Sequence, residues 1–424
     1  MDPEKAPNQL EGHQETQLTL TPQIEGFPRL RWVMIALVFL ATAINYLDRQ
    51  TLSVVAPVLM GLYHMSGETY SRIIFAFMLA YTIMNGVVGP LIDRLGTRIG
   101  YAYTTAWWSA SAMLHALAMG PWSLGVFRFL LGMGEAGNWP AGVKVVAEWF
   151  PVRERALASG IFNSGSAIGA ILAPPLVVWV VLKFGWRSAF FVVGASGFIW
   201  LAVWLWIYYS PRRGEQEHLS PPIPLRQLVL TRFVWCFTSA KVFIDPVWYF
   251  YIFWFPAYLK QARHFDLAAI GKYAWIPFLV AGAGNLLGGW VSEGLLQLGV
   301  SLLMARKLSV TVFAALMAAA IPAVLVRDVR LSIALVSVAM LGYTGVSANM
   351  LAMPADVFPA DVVASIWGFA SVGSGFGAMA FALITGWLVD HFSYVPVFFV
   401  FGLIPFIALL IIWAVLTDRQ RQPE

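Results

Sequence analysis

Four charged side chains interrupt two long apolar stretches: Asp48 and Arg49 in one, Arg128 and Glu135 in another. A charge at the centre of a membrane-spanning helix costs roughly 2.5–3.5 kcal/mol on insertion scales, so a lipid-facing position is disfavoured for all four. They must face a partner or a water-filled cavity. A helix rises about 1.5 Å per residue, which sets Asp48, Glu135 and Tyr81 each about 18–20 Å from the same end of their segments. Polar groups from three segments thus meet at one level near mid-membrane. Arg128 and Glu135 are seven residues apart and share a helical face.

The chemistry open to these residues is anion binding coupled to a proton. Arginine stays charged and forks onto carboxylates bidentately, which suits Arg49 to an anionic substrate. A carboxyl in a dehydrated cavity holds its proton more tightly, and a nearby arginine opposes this. Glu135 could then switch proton affinity as Arg49 or Arg128 exchanges partners. Substrate would occupy Arg49, Glu135 would lose its counterion, and protonation would let the neutralised site close. The alternative is a static ion-pair cluster locking helices together.

A second group lies later in the chain. Lys241 and Asp245 are four apart on one helical face. Either they neutralise each other, or Lys241 meets a second polar end of the substrate. Trp248, Tyr249 and Trp254 follow on the same segment and could stack on a sugar or pack the core. Asn163 and Ser371 are candidate cavity liners, and Asn349 is a weaker one. Lys144 lies close enough to the inner end of its segment to snorkel. Asp93, Arg94 and Arg98 read as gate and packing residues at the cytoplasmic surface. Glu148 and Asp356 read as partners in salt bridges between domains when the inner side is closed, with Arg94 or Arg98 opposite them.

The frame that must position these groups is apolar throughout. The 424 residues are 59% hydrophobic and 12% charged, and mean hydropathy is +0.72. An ordinary soluble domain is about 25% charged, so this composition predicts a polytopic membrane protein embedded in a lipid bilayer. The net charge of +5 is dispersed, which argues against nucleic-acid binding. Cys236 is the only cysteine, so no internal disulfide is possible. The six histidines show no metal-ligand spacing, no nucleotide-binding loop occurs, and no cofactor or metal is expected.

A span needs about 20 apolar residues, and twelve such segments run from 31–60 to 395–417. Lys and Arg outnumber those of the other face on the side of the termini, which predicts both termini in the cytoplasm. The expected fold is all-α, with twelve transmembrane helices in two six-helix bundles. Residues 1–28 form a disordered cytoplasmic tail, 29–209 the first bundle, 210–232 a proline-rich cytoplasmic linker, 233–417 the second bundle and 418–424 a short tail. The halves repeat: Glu148-Trp149-Phe150-Pro151 returns 208 residues later as Asp356-Val357-Phe358-Pro359. At the same offset Gly160, Gly165, Gly169 and Ala170 match Gly368, Gly373, Gly377 and Ala378. A parallel repeat of six-helix halves is one transporter architecture, with its site at the midplane between them.

Several stretches carry a family resemblance. Gly89-Pro90-Leu91-Ile92-Asp93-Arg94-Leu95-Gly96-Thr97-Arg98 resembles the signature loop of the major facilitator superfamily. Asn45-Tyr46-Leu47-Asp48-Arg49 and the stretch from Arg128 to Ala136 look like the first-span and fourth-span motifs of its anion:cation symporter family. Ile171–Trp179, Lys241–Trp248 and Tyr273–Pro277 are similar to bacterial hexuronate transporters. The resemblance implies rocker-switch uptake of a sugar acid such as galacturonate or glucuronate with protons, across the bacterial inner membrane, by a multi-pass monomer. It assigns Arg49 to the substrate carboxylate with Tyr46 beside it, Asp48 and Glu135 to the proton, Arg128 to support of Glu135, and Tyr81 to the cavity wall. One departure stands out. Hexuronate transporters carry Asn immediately before the glycine equivalent to Gly368, and here that position is Trp367.

Other readings are an aldonate, aldarate, tartrate or aromatic-carboxylate symporter, a drug-type antiporter of the same fold, or a membrane-embedded enzyme. Short loops argue against the enzyme. The segment Ser164-Gly165-Ser166-Ala167 lacks the Gly-Pro pair of exporters.

Overall fold

The computed structural model describes residues 30–150, 152–209, 231–358 and 360–416. The expected tails 1–28 and 418–424, and residues 210–230 of the expected linker, lie outside the described residues.

The described chain is helical. α1 (Leu30–Leu62), α2 (Gly67–Leu95), α3 (Thr97–Leu114), α4 (Pro121–Glu135), α5 (Asn138–Trp149), α6 (Val152–Phe184) and α7 (Trp186–Ile207) form an N-terminal set. α8 (Arg232–Gln261), α9 (Leu267–Tyr273), α10 (Ile276–Gln297), α11 (Leu302–Met317), α12 (Ala320–Leu325), α13 (Val329–Val357), α14 (Ala360–His391) and α15 (Tyr394–Val415) form a C-terminal set. Turn chemistry divides them. Ser66 and Asp266 cap α2 and α9 by accepting from Thr69 N and Ala269 N. Gly96 sits at φ 77° between α2 and α3, where a side chain would strain the backbone.

Ten helical segments among the described residues are long and apolar enough to cross a membrane. They coincide with ten of the twelve expected segments. The other two positions are held by α3 and by the α4–α5 pair. α3 has only 18 residues and buries Thr97, Thr104, Thr105, Ser109 and Ser111, which dilutes its hydropathy. The fourth segment is broken after Glu135 into helices of 15 and 12 residues. That break falls beside the buried charge the fold must accommodate.

The repeat is built into the packing. A methyl group on Gly165 or Gly169 of α6 would run into the carbonyl oxygens of Phe39 and Ala43 on α1. Gly373 and Gly377 of α14 lie in the same way against Thr238 and Val242 of α8. Small residues let these backbones approach closely where hydrophobic burial supplies no drive. Matching the carbonyls on each side, 39 with 238 and 43 with 242, gives α1 and α8 an offset of 199 residues, against 208 for α4–α6 and α13–α14. Gly134 and Gly137 against α3, and Gly342 and Gly345 against α11, obey the 208 offset as well.

The two sets meet at one end. Ser53 Oγ donates to the Ile252 carbonyl at 2.6 Å, and these positions are related by the 199 offset. α1 and α8 therefore touch where a pseudo-twofold axis passes between the halves. The Tyr70 hydroxyl donates to the Phe253 carbonyl at 2.8 Å. Asp390 accepts from the backbone of Gly67 at 2.6 Å and of Glu68 at 2.7 Å. All hydrogen bonds between the halves among the described residues lie toward this end, where α1 finishes and α2 begins. At the opposite end, the hydrogen bonds and ion pairs among described residues stay within each half. The molecule is sealed at one face, with Thr82 against Gly375 as the deepest close glycine approach of that seal.

Candidate functional site

Behind the seal, α1, α2 and α4 bring the sequence's charged residues together. Arg49 Nε donates to Glu135 Oε2 at 2.9 Å, and both side chains are almost wholly buried. The Arg49 guanidinium carbon lies 4.8 Å from the ring centres of both Tyr46 and Tyr81, so two phenols hold the cation from two sides. Phe77 adds a third ring at 5.3 Å. Asn45 Oδ1 lies 3.5 Å from Arg49 Nη2, one helical turn back. Of Asp48, Glu135 and Tyr81, expected at one level, the structure joins Glu135 and Tyr81 through Arg49, with Tyr46 beside them.

Arg128 makes its hydrogen bond on a neighbouring helix. Its Nη2 donates to the backbone carbonyl of Arg49 at 2.5 Å, not to the Glu135 carboxylate. Its guanidinium lies 4.8 Å from the Phe77 ring and 5.7 Å from that of Phe253, which belongs to the other half. Arg128 and Glu135 still feel each other's charge, and the hydrogen bond fixes α1 where Arg49 projects. Asp48 is buried at 2% exposure, and neither carboxylate oxygen has a hydrogen-bond donor. Glu135 and Arg128 are the charges that act on it. Neighbours on a helix project about 100° apart, so Asp48 cannot share the Tyr46–Tyr81 slot with Arg49.

The C-terminal half supplies the opposite wall. Lys241 Nζ pairs with Asp245 Oδ2 at 2.7 Å, so mutual neutralisation is the alternative realised here. The Lys241 ammonium sits 4.7 Å above the ring of Trp367, the residue that departs from the hexuronate pattern. Trp248 stacks on Tyr343 with ring centres 5.3 Å apart and planes 13° apart. The Tyr343 hydroxyl points to Asp245 Oδ1 at 3.5 Å. Tyr46 and Tyr249 each feel the charges of both Arg49 and Asp245, so the same two phenols lie within electrostatic reach of both ion pairs.

The remaining candidates separate. Asn163 and Ser371 are half-buried on α6 and α14, and Ser371 Oγ donates to the Trp367 carbonyl. Asn349 is fully buried and bonds Gly288 O, Ser309 Oγ and Gly345 O, with Arg306 on its oxygen. Its amide is consumed in tying α10, α11 and α13 together, so it is a packing residue and not a cavity liner. Lys144 reaches to the end of α2, where it pairs with the exposed Asp93 carboxylate at 2.6 Å. Glu148 accepts from Thr97 at 2.7 Å and from Tyr208 at 2.6 Å. Asp356 pairs with Arg306 at 2.9 Å. Arg98 donates to the Leu205 carbonyl, and Arg94 is exposed. Among the described residues, the partners named for Asp93, Arg98, Glu148 and Asp356 belong to their own halves.

Sequence reasoning missed Tyr343 and Phe77, and named Tyr249 only as a ring that could stack on a sugar or pack the core. For Tyr343 a signal existed. It lies 208 residues after Glu135, and Trp248 lies 199 after Arg49. The stacked aromatic pair therefore occupies the repeat copy of the Arg49–Glu135 ion pair.

Known proteins match this arrangement. The chain is 36% identical over 413 residues to the hexuronate transporter of Escherichia coli K12, covering 92% of this chain and 95% of that one. It is 37% identical over 308 residues to the galacturonate transporter of Dickeya chrysanthemi, covering 68% and 89%. Its fold is similar to the crystal structure of a bacterial homolog of the human lysosomal transporter Spinster, inward-facing and occupied, with a TM-score of 0.75 at 17% identity over 94% of this chain and 100% of that one. The model of the Major Facilitator Superfamily matches residues 38–326. With a helical repeat, a sealed face, a charged midplane and these relatives, the chain belongs to the Major Facilitator Superfamily and is a multi-pass membrane protein of its transporter type.

Proposed function

We propose that this protein takes up a hexuronate such as galacturonate or glucuronate together with protons, by alternating access across the bacterial inner membrane. The chain crosses twelve times, with α3 and the broken α4–α5 pair as the third and fourth crossings, and both termini are cytoplasmic. Residues 29–209 and 233–417 act as two six-helix bundles. The sealed face is then periplasmic, and the conformation is inward-facing. The working unit is a monomer.

The observation that carries the reading is the Arg49–Glu135 pair between two tyrosines. A buried arginine already matched to a carboxylate fits a substrate carboxylate equally well. In the empty inward-facing state Glu135 holds Arg49. When substrate arrives from outside, its carboxylate takes the guanidinium and Glu135 takes a proton. Asp48, with no donor of its own, is the other protonatable carboxyl, and one proton per cycle is divided between it and Glu135. Neither half then buries an unpaired charge as it rocks. Release inside lets Glu135 lose its proton and recapture Arg49, which resets the cycle. Asp93, Arg94, Arg98, Glu148 and Asp356 exchange their present partners for cross-half ones when the cytoplasmic face closes.

The test is uptake of labelled galacturonate into proteoliposomes, with and without an inward proton gradient. Glu135→Gln should abolish gradient-driven accumulation while retaining exchange of internal for external substrate. Full gradient dependence in Glu135→Gln would overturn the coupling mechanism. Transport of some other organic anion in place of hexuronates would replace the substrate and leave the roles of Arg49 and Glu135 standing.

A further inference from the structure

The ion pair of the C-terminal wall has no part in the cycle described above, yet it is buried at mid-helix and faces the same space. Lys241 and Asp245 are 8% and 7% exposed, and both come from α8. A lysine there would ordinarily serve as a second anion site, able to hold the far carboxylate of a dicarboxylic sugar acid. Here its ammonium is cancelled at 2.7 Å by a carboxylate of its own chain. The carboxylate that cancels it is also the hydrogen-bond acceptor aimed at by Tyr343, beside the Trp248 stack.

The charges can be summed. Asp48, Arg49, Arg128 and Glu135 add to zero when all are ionised, and Lys241 with Asp245 adds to zero. One proton on the N-terminal group leaves a net charge of +1, which one carboxylate balances. A second carboxylate would have to lie against Asp245, and like charges at close range in a poorly hydrated cavity cost several kcal/mol. A neutral sugar ring meets the opposite situation. Its hydroxyls can donate to Asp245, and its C–H face can lie on an indole, as rings of Trp248 and Trp367 both stand beside the pair.

We propose that Asp245 is a specificity-determining residue, which cancels Lys241 so that the C-terminal side of the site accepts a hydroxylated ring and rejects a second carboxylate. The protein takes cyclic monocarboxylates and discriminates against open-chain dicarboxylates of the aldarate type. Trp367 completes this wall with a ring face over Lys241 at the position where hexuronate transporters carry an amide. The inference rests on the transport reading above, and it concerns charge number where that reading concerns the identity of the acid.

The experiment is competition against labelled galacturonate uptake in proteoliposomes. In the unaltered protein, unlabelled galacturonate should compete at least about tenfold better than galactarate, a difference of about 1.4 kcal/mol. Asp245→Asn keeps the shape, frees the lysine, and should bring galactarate within about threefold of galacturonate. The double change Lys241→Met with Asp245→Asn removes both charges and should lose that gain. Equal competition by galactarate and galacturonate in the unaltered protein overturns the proposal without any variant. So does an Asp245→Asn protein that transports galacturonate and still ignores galactarate. If the unaltered protein carries no hexuronate, the transport reading fails by itself. The same comparison is then made between the monocarboxylate it does carry and that acid's dicarboxylate counterpart.

Discussion

The two halves share a frame and differ in what they set on it. In each, glycines four residues apart on one helix admit the backbone of the helix that bears the site: Gly165 and Gly169 against α1, Gly373 and Gly377 against α8. On that common frame the N-terminal half sets Arg49 against Glu135, and the C-terminal half sets Trp248 against Tyr343 at the repeat-equivalent places. One pair is charged; the other is apolar-faced. The difference teaches that the duplicated frame supplies geometry alone. On the function proposed above, charge transfer belongs to the half that can neutralise itself with a proton, and the other half offers a surface that needs no change of ionisation.

The comparison is broken most severely by Arg49→Lys. The ammonium keeps the charge but loses the fork and the planar fit between Tyr46 and Tyr81. Losing one partner of a buried, hydrogen-bonded charge pair costs roughly 2–5 kcal/mol, so initial-rate uptake at low substrate should fall by about a hundredfold. Uptake within about threefold of the unaltered protein would show that charge alone suffices there. The equivalent change in the other half should be milder. Trp248→Ala removes one ring of a stack, a loss of about 1 kcal/mol beyond buried area. It should raise KM about fivefold with little change in maximal rate, whereas Trp248→Phe should restore most of the affinity. A large fall in maximal rate with unchanged KM would make the stack part of the rocking machinery and not of the wall.

How much of this was legible in the sequence differs between the halves for the same reason. A charge inside an apolar stretch is conspicuous, so Asp48, Arg49, Arg128 and Glu135 stood out at once. Tyr343 and Tyr249 are aromatic residues in a chain that is 15% aromatic, and nothing local distinguishes a wall residue from a packing residue. The 208-residue repeat was visible from Glu148 and Asp356, but the 199-residue offset of α1 and α8 was not. The site-facing positions of those helices share no residue type: Tyr46 corresponds to Asp245 and Arg49 to Trp248. Asn349 misled because a buried amide in a span serves helix packing as readily as a cavity. For Arg128 the seven-residue spacing gave the face it shares with Glu135 but not its hydrogen-bond partner, a carbonyl on another helix. The break in the fourth span was hidden, since Gly137 within an apolar run gives no sign of whether the helix continues.

The smallest expected effect tests whether the sealed face is held as asymmetrically as the site. Asp390, from the end of α14, caps the first turn of α2 by accepting from Gly67 and Glu68, so a carboxylate of one half satisfies orphan donors of the other. Helix N-termini favour such a negative cap, and its loss costs about 1 kcal/mol. The repeat-related seam, where α9 meets α6, has Gly271 against the Val178 side chain, while Ser71 of α2 lies against Gly386. Only apolar packing is seen at the first of these. Asp390→Ala should therefore shift the balance toward the conformer open at this face by about fivefold. The shift would be read as the population of a longer distance between spin labels placed at His64 and Phe392. Val178→Ala should move that population far less, because it removes packing without exposing an unsatisfied donor. Equal shifts from both changes would mean that the seal is held by packing alone, and that the carboxylate cap adds nothing to it.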